Sequence, residues 1–525
     1  MKGFGIIAVF MEKEVSAMKS CCSRVFTLLA VGCAFSPVSY AGTTYRVVPD
    51  EASKSIPGWE NASTDLKGTI EGVNVAGSTV LVMNGHYNIG EQITFKNATA
   101  GSLTIRSVNP ATGETDFGGA IFDAKKDNPD NEVRLFAADQ EIAFYGCQLV
   151  NGRADGNGGA ALGRIRAYDC VISNNTASGD GGAVGSTWGG VCAGVFSNCL
   201  FACNQAKSQY AGGGAFFTFA GSPTFCDCVF SNNTVNAGSG AAVYVKQGCE
   251  DLAIERCTFV ANGGTDLRGA VVFVGDGVAV ARPVTDCLFA GNRGISLSGA
   301  QTPLLRCVFE QNMCDQPFAT KALVESCIIT NNTCSFFSCN AAIVSNLRNC
   351  LVADNRFDNG IFRMHASFPA ICRISNCTFT KNTASYFFSL YGSPDENQGV
   401  SMTNTVFYGN TISKTFGSLV GCTGGFANNC TDDASLQELT TSSGGGLVVE
   451  DPKFVDALAG DFRIGRKSSC REKALTLGWM TDAAVDLAGN PRVLDRNGRV
   501  SSGARPDIGC YECDEWTPGM AIFVR

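Results

Sequence analysis

The sequence predicts an all-β solenoid, a parallel β-helix with about three strands in each coil. Three observations predict it. First, one motif recurs down the middle of the 525-residue chain at intervals of 20 to 30 residues. It reads apolar, two polar, Cys, any residue, apolar, two more residues, Asn, as in Ile254-Glu255-Arg256-Cys257-Thr258-Phe259-Val260-Ala261-Asn262. Second, Gly-Gly-Ala or a near variant follows many copies, as in Gly181-Gly182-Ala183 and Gly213-Gly214-Ala215. Third, the chain holds 61 Gly and only 17% charged residues, which suits tight corners and argues against disorder. The runs are rich in Val, Phe, Gly and Asn and lack a Leu framework, so a leucine-rich repeat is disfavoured.

Each element of a coil has a physical reason. The Cys position is filled by Cys147, Cys170, Cys199, Cys228, Cys257, Cys287, Cys307, Cys327, Cys350 and Cys377, then Thr405. Two residues later stand apolar residues from Leu149 and Ile172 to Phe379 and Phe407. Residues two apart share one face of a strand, so both positions point inward. An apolar residue also stands three before the Cys in most copies, as Phe144, Phe225, Ile254 and Leu347 do. One strand cannot face i and i+3 the same way, so a corner is expected between them. Five after the Cys position comes Asn, from Asn175 to Asn410, with Gly152 in the first copy. Asn tolerates a left-handed backbone, so it is expected to form the second corner. The third strand starts at the Gly-Gly-Ala marker. Coil length varies around it, so loops should project there.

The chain opens on an export signal over residues 18–41. Lys19 and Arg24 carry positive charge, an apolar run follows, and Ser39-Tyr40-Ala41 is a small-x-small cleavage site. Residues 1–41 are therefore set apart, with Met18 as an alternative start. The protein is expected outside the cell or on the outer surface of a bacterium. Residues 42–78 should form an N-terminal strand, Thr44 to Val48, and a capping helix. That helix would carry Leu66, Ile70 and Val73 on one face, with Ser63 as N-cap. The solenoid is expected over 79–430, with early strands at Thr79 to Met83, Gln92 to Phe95 and Leu103 to Arg106. A distinct C-terminal module fills 431–525. No later stretch is long and apolar enough to span a membrane as a helix. The net charge of −8 disfavours nucleic acid as a partner.

The ten row Cys are read as small buried hydrophobes. Stacked, in-register thiols are poorly aimed for bonding, so reduced thiols are expected there. Bridges are expected off the row, at Cys314 with Cys334, Cys422 with Cys430, and among Cys470, Cys510 and Cys513.

The helix, the strand Val80-Leu81-Val82 and Gly85-His86-Tyr87 resemble the start of pectate-lyase-like parallel β-helix proteins. That resemblance implies a right-handed, single-stranded, pectin-lyase-like solenoid. The pairing of Gly240-Ala241 with Phe259-Val260-Ala261-Asn262 resembles the repeats of chlamydial polymorphic outer-membrane proteins, which are surface adhesins. Past Thr431, Asp451-Pro452-Lys453-Phe454-Val455, Gly489-Asn490-Pro491-Arg492 and Asp507-Ile508-Gly509-Cys510-Tyr511-Glu512 are similar to the choice-of-anchor Q module of secreted bacterial β-helix proteins. Its expected role is to cap the last coil. This fold hosts lyases, hydrolases, adhesins and phage tail spikes, so function has to come from the site.

The chain has two His, His86 and His365, without a neighbouring Ser or Cys arrangement. A His triad or His-rich metal site is not expected. The Gly-His-Gly motif of pectin hydrolases is absent. A lyase would need a base beside an acidic sugar, and Lys246, Arg256 and Arg268 are the candidates. Asp127, Asp130 and Glu132 sit in an oxygen-rich run of the kind calcium prefers. The remaining signal is aromatic. With Ala241 and Ala270 inward, Val243, Val245, Val272 and Val274 follow. Tyr244, Lys246 and Phe273 then face out, with Phe216 one coil earlier and Trp188 beyond it. Sugar rings pack on such surfaces. The expected function is a monomeric, non-catalytic, adhesin-like β-helix facing extracellular polysaccharide or a cell-surface glycan. The alternative is a carbohydrate-active enzyme, a polysaccharide lyase acting on acidic polysaccharide.

Overall fold

The computed structural model describes residues 42–513 apart from 97–100, 126, 129, 188, 193, 209–211, 250, 268, 276–277, 279–281, 300, 321, 340–345, 366–370, 392–398, 417–424, 482 and 493–504. The expected export signal, Trp188, Arg268 and Cys422 lie outside the described residues.

The chain winds into a parallel β-helix. One face is a sheet of 22 short strands, the second a sheet of 15, and the third two sheets of 4 and 5 strands. Successive coils pair in parallel and in register. Phe201 pairs with Phe230, Phe230 with Phe259, Phe259 with Phe289 and Phe289 with Phe309. These rings stack inside the coil at centroid separations of 4.8, 4.9, 4.7 and 5.0 Å. The residues three before the Cys are buried with them, as Phe225, Ile254 and Leu347 show.

The corner between them is a left-handed residue just before each Cys, such as Asp169 (φ 56°), Arg256 (φ 51°) and Asn349 (φ 57°). The second corner departs from expectation by one residue. The left-handed positions are Asn174, Ala261, Asn331 and Lys381, each just before the motif Asn. That turn swings the Asn side chain inward, where it does different work. Asn262 is buried. Its Nδ2 donates to Phe230 O at 2.8 Å and Asn292 Oδ1 at 3.2 Å. Its Oδ1 accepts from Asn233 N at 3.0 Å and Asn233 Nδ2 at 2.9 Å. The same links run from Asn175 to Asn410. Every amide donor and acceptor of Asn262 is thereby used, which is what a buried amide requires.

The Cys row is also bonded. Cys257 Sγ donates to Glu255 O at 3.3 Å, and Cys257 N donates to Cys287 Sγ at 3.4 Å. Thr405 takes the same place, its Oγ1 donating to Thr403 O at 3.0 Å. Burial pushes the Cys257 and Cys350 thiols well above their ordinary pKa. The described cysteines are all free thiols, so the bridges expected off the row are not formed among them. Cys314 and Cys334 pair in register, stacked as the row thiols are. Cys430 packs instead in a cluster with Cys470.

At the N-terminal end, Thr44–Val47 already pairs in parallel with Ser78–Met83. The helix runs Leu66–Glu71, and Leu66, Ile70 and Val73 enter the core. Its N-cap is Asp65, whose side chain accepts from Gly68 N at 2.8 Å. Ser63 does not serve, because it stands two residues before the cap and its Oγ accepts from Asp65 N at 3.0 Å. At the other end the helix Ala434–Ser442 closes the last coil, with Leu436 in the core. The rest of the expected cap runs along the flank. Cys510 N donates to Thr378 Oγ1 at 3.2 Å, Gly509 N to Asn404 O at 2.9 Å, and Asn428 Nδ2 to Lys473 O at 2.6 Å. Arg492, fully buried, pairs with Glu512 at 2.8 Å and bonds Asn349 on the coil. Among the described residues, no helix is long and apolar enough to cross a membrane.

Candidate functional site

The candidate site is on the outside of the 22-stranded sheet, where Phe216–Gly221, Val243–Cys249, Ala270–Val274 and Ile295–Ser298 lie side by side. Register sets the facing. Phe216, Val243, Val272 and Leu297 form one row and all are core residues. Phe217, Tyr244, Phe273 and Ser298 form the next row, on the outer side. Tyr244 and Phe273 therefore lie as expected, and Phe216 does not. The corner glycines explain the slip. Gly213 (φ 75°) and Gly240 (φ 73°) are equivalent, and the third residue after each faces in. Ala215 thus matches Ala242, where the Gly-Ala spelling suggested Ala241.

The outer row is a run of rings. Phe217 lies 5.5 Å from Tyr244, and Tyr244 stacks on Phe273 at 4.7 Å with planes 25° apart. Phe219 meets Phe217 edge-on at 4.9 Å, and Lys246 Nζ sits 4.6 Å above the Phe219 ring. Phe217 is fully buried, whereas Phe219, Tyr244, Lys246 and Phe273 are partly exposed. The open part is therefore Tyr244 and Phe273, bordered by Lys246.

Asp180 completes the group, and sequence reasoning missed it. Its one signal was position, directly before Gly181-Gly182-Ala183. Burial raises the pKa of its carboxyl, opposed by a hydrogen bond from Ser208 and the charge of Lys246. Its Oδ1 is buried and has no hydrogen-bond partner among the described residues. Burial, then the nearby Asp180 charge, raises the Tyr244 phenol. Ring edges and an ammonium thus share one patch, and the Asp180 charge acts on both Lys246 and Tyr244. Such a patch can pack the apolar face of a ring and donate to an oxygen.

Of the lyase candidates, Arg268 lies outside the described residues, and Arg256 and Lys246 each have other partners. Arg256 lies in the corner before Cys257 and is held by Asp227, Nε to Oδ1 at 2.7 Å and Nη2 to Oδ2 at 3.0 Å. That guanidinium holds the Asp227 carboxyl below the usual range, against the effect of burial. Lys246 keeps its own neighbours, Phe219 and Asp180. The acidic run is also dispersed. Asp127, Asp130 and Glu132 are exposed, and Glu132 pairs with Arg153. Among the described residues, no group of three His, Cys, Asp or Glu could hold a metal ion. His86 Nε2 lies 2.9 Å from Asp123 Oδ2 at an early strand. Burial raises that carboxyl, but Asn151, the Lys125 N–H and His86 together hold it below its ordinary value.

A family model described as a right-handed β-helix region matches residues 139–313. The coils described above are thus those of a right-handed parallel β-helix. No curated protein matches. Among solved structures it is similar to a pectate lyase, at 14% identity and a TM-score of 0.29, over 91% of this chain and 98% of that one. It is also similar to a mannuronic-acid-specific family 6 polysaccharide lyase from human gut microbiota, at 11% identity and 0.34, over 78% and 92%. A third is the A-module of a mannuronan C-5 epimerase from Azotobacter vinelandii, at 10% and 0.22, over 70% and 93%. No residue role is carried over from these likenesses.

Proposed function

We propose that this protein acts outside the cell as a glycan-binding β-helix, and that it binds without cleaving. The observation that carries the reading is the stacked Tyr244–Phe273 pair beside Lys246 and Asp180. The two rings stack face to face on adjacent coils, 4.7 Å apart with planes 25° apart, and turn outward an apolar strip of ring edges against which one saccharide unit can pack. Lys246 steers toward an acidic or hydroxyl oxygen, with the Asp180 charge nearby. The likeness of its repeats to surface adhesins, and of 451–512 to a choice-of-anchor module, belongs to this reading.

The test is retention of the full chain on a panel of neutral and acidic polysaccharides, with and without calcium. Free reducing ends and unsaturated uronates are assayed in parallel. Retention lost in Tyr244→Ala and Phe273→Ala, with no product formed, is the expected result. Unsaturated uronate from any substrate would replace this reading with a lyase. Retention unchanged in both variants would move the binding face elsewhere.

A further inference from the structure

We propose a second binding site, on the third face of the solenoid, which takes a small hydroxylated anion through Arg293. This face begins with the strands Arg153–Ala154, Thr176–Ala177, Gln205–Ala206 and Thr234–Val235. Pairing continues by single bridges from Thr234 to Gly263, then Arg293, then Met313. The alternate residues Ala206, Val235 and Cys314 are buried. The outward row therefore runs Gln205, Thr234, Gly263, Arg293, and a glycine interrupts it.

That glycine lets neighbouring coils close up. A Cβ on Gly263 would meet Arg293 O at 2.5 Å, and one on Gly264 would meet Val235 Cγ2 at 3.0 Å. The coils approach too closely there for a side chain. Over this stretch lies an open groove of about 510 Å³, bordered by Gln205, Thr234, Asn236, Thr265 and Arg293. Small-molecule sites span ~300–1,000 Å³. The groove's lining is largely apolar, from Val235, Ala261 and glycine backbone, with a few amides and hydroxyls set into it. Gln205 Nε2 donates to Asn236 Oδ1 at 3.3 Å, which pins one amide against the other. Thr265 Oγ1 donates to Asn236 O at 3.0 Å and keeps its lone pairs to accept.

Arg293 borders this groove, and its side chain is exposed. Its Nη1 lies 3.3 Å from Met313 Sδ, a weak acceptor. Among the described residues no carboxylate pairs with it. Nearby arginines differ: Arg256, Arg306 and Arg348 pair with Asp227, Asp286 and Glu325. An exposed guanidinium with no carboxylate partner among the described residues, bordering a groove that carries amides and hydroxyls, suits a carboxylate, sulfate or phosphate monoester, which it grips with two parallel N–H donors. The amides and hydroxyls opposite suit hydroxyls on the same molecule. This site uses a different sheet from the aromatic row and stands or falls separately from it.

The full chain is titrated with sodium sulfate, inorganic phosphate and glucuronate by calorimetry at constant ionic strength. Sodium chloride is the control. Glucuronate is expected to bind tightest, because it alone reaches both the guanidinium and the opposite wall. Arg293→Gln and Asn236→Asp should each weaken it at least tenfold, while Tyr244→Ala leaves it unchanged. Both altered side chains lie at the surface, and an unshifted thermal midpoint confirms folding. No binding by the unaltered chain, or binding unaffected by Arg293→Gln, overturns the proposal. Sulfate binding as tightly as glucuronate would remove its hydroxylated part.

Discussion

The inner rows of the solenoid repeat, and the outer aromatic row does not. Inside, Asn175 to Asn410 and Cys147 to Cys377 recur coil after coil, because each side chain bonds its equivalent one coil away. Outside, Phe217, Tyr244 and Phe273 are followed by Ser298 and then Ala319. Nothing in the stacking demands rings there. The difference teaches where constraint ends: a position that must satisfy its neighbour keeps one residue type, and an outer position carries whatever its partner needs.

The sharpest way to break the comparison is Phe259→Asp. Phe259 is fully buried between Phe230 and Phe289. An unpaired charge there costs more than the stacking returns, so cooperative thermal unfolding should be lost. A midpoint like that of the unaltered chain would place Phe259 outside the core. Asn262→Ala comes next. It strands Phe230 O and the Asn233 donors, at about 1–3 kcal/mol each. Denaturant unfolding should show a loss of roughly 3–5 kcal/mol.

Arg492→Ala tests the flank. It leaves Glu512 buried without its partner, at a cost of roughly 3–5 kcal/mol. Hydrogen exchange should quicken around Asn349 and Thr378 and stay slow at Phe259. The flank should also respond to pH. Burial holds the Glu512 carboxyl well above its ordinary range, the Asp507 charge adds to this, and Arg492 opposes it. Burial likewise raises Asp486 and Asp507. Carboxyls raised in the folded state bind more protons than in the unfolded chain. Their contribution is present below ~pH 4 and is lost as pH rises through the folded values. Protease cleavage of residues 451–513 should therefore rise with pH across that window, after correction for the protease's own profile. A flat response would refute it.

Two substitutions should be mild and sharpen the contrast. Cys257→Thr should cost less than about 1.5 kcal/mol, because Thr405 already fills that row with the same bond. Phe273→Asp should cost about as little in thermal stability, since the ring is only half-buried. It should still abolish glycan retention. Strong destabilisation by Phe273→Asp would place the row inside.

The coil was legible because its signal repeats. Cys, Phe and Asn at constant offsets, with the Gly-Gly-Ala marker, predicted three strands in each coil, and the paired strands follow that plan. The misreadings were of single residues. The Asn corner sits one residue earlier, because Asn gains more from four buried hydrogen bonds than from a left-handed turn. Phe216 was misread because Gly-Gly-Ala and Gly-Ala-Ala differ in spelling while the positive-φ glycine holds the register.

The sequence by itself determined the solenoid, its inward rows and the outward facing of Tyr244 and Phe273. These follow from periods of two and of one coil, which are local and repeated. Only the tertiary structure decided that the Asp180 charge acts on Lys246 and Tyr244, that Arg293 borders a groove with Gln205 and Thr265, and that Arg492 grips Asn349, 143 residues away. Those meetings depend on loops of unequal length and on which coil lies beside which. Neither leaves a period in the chain.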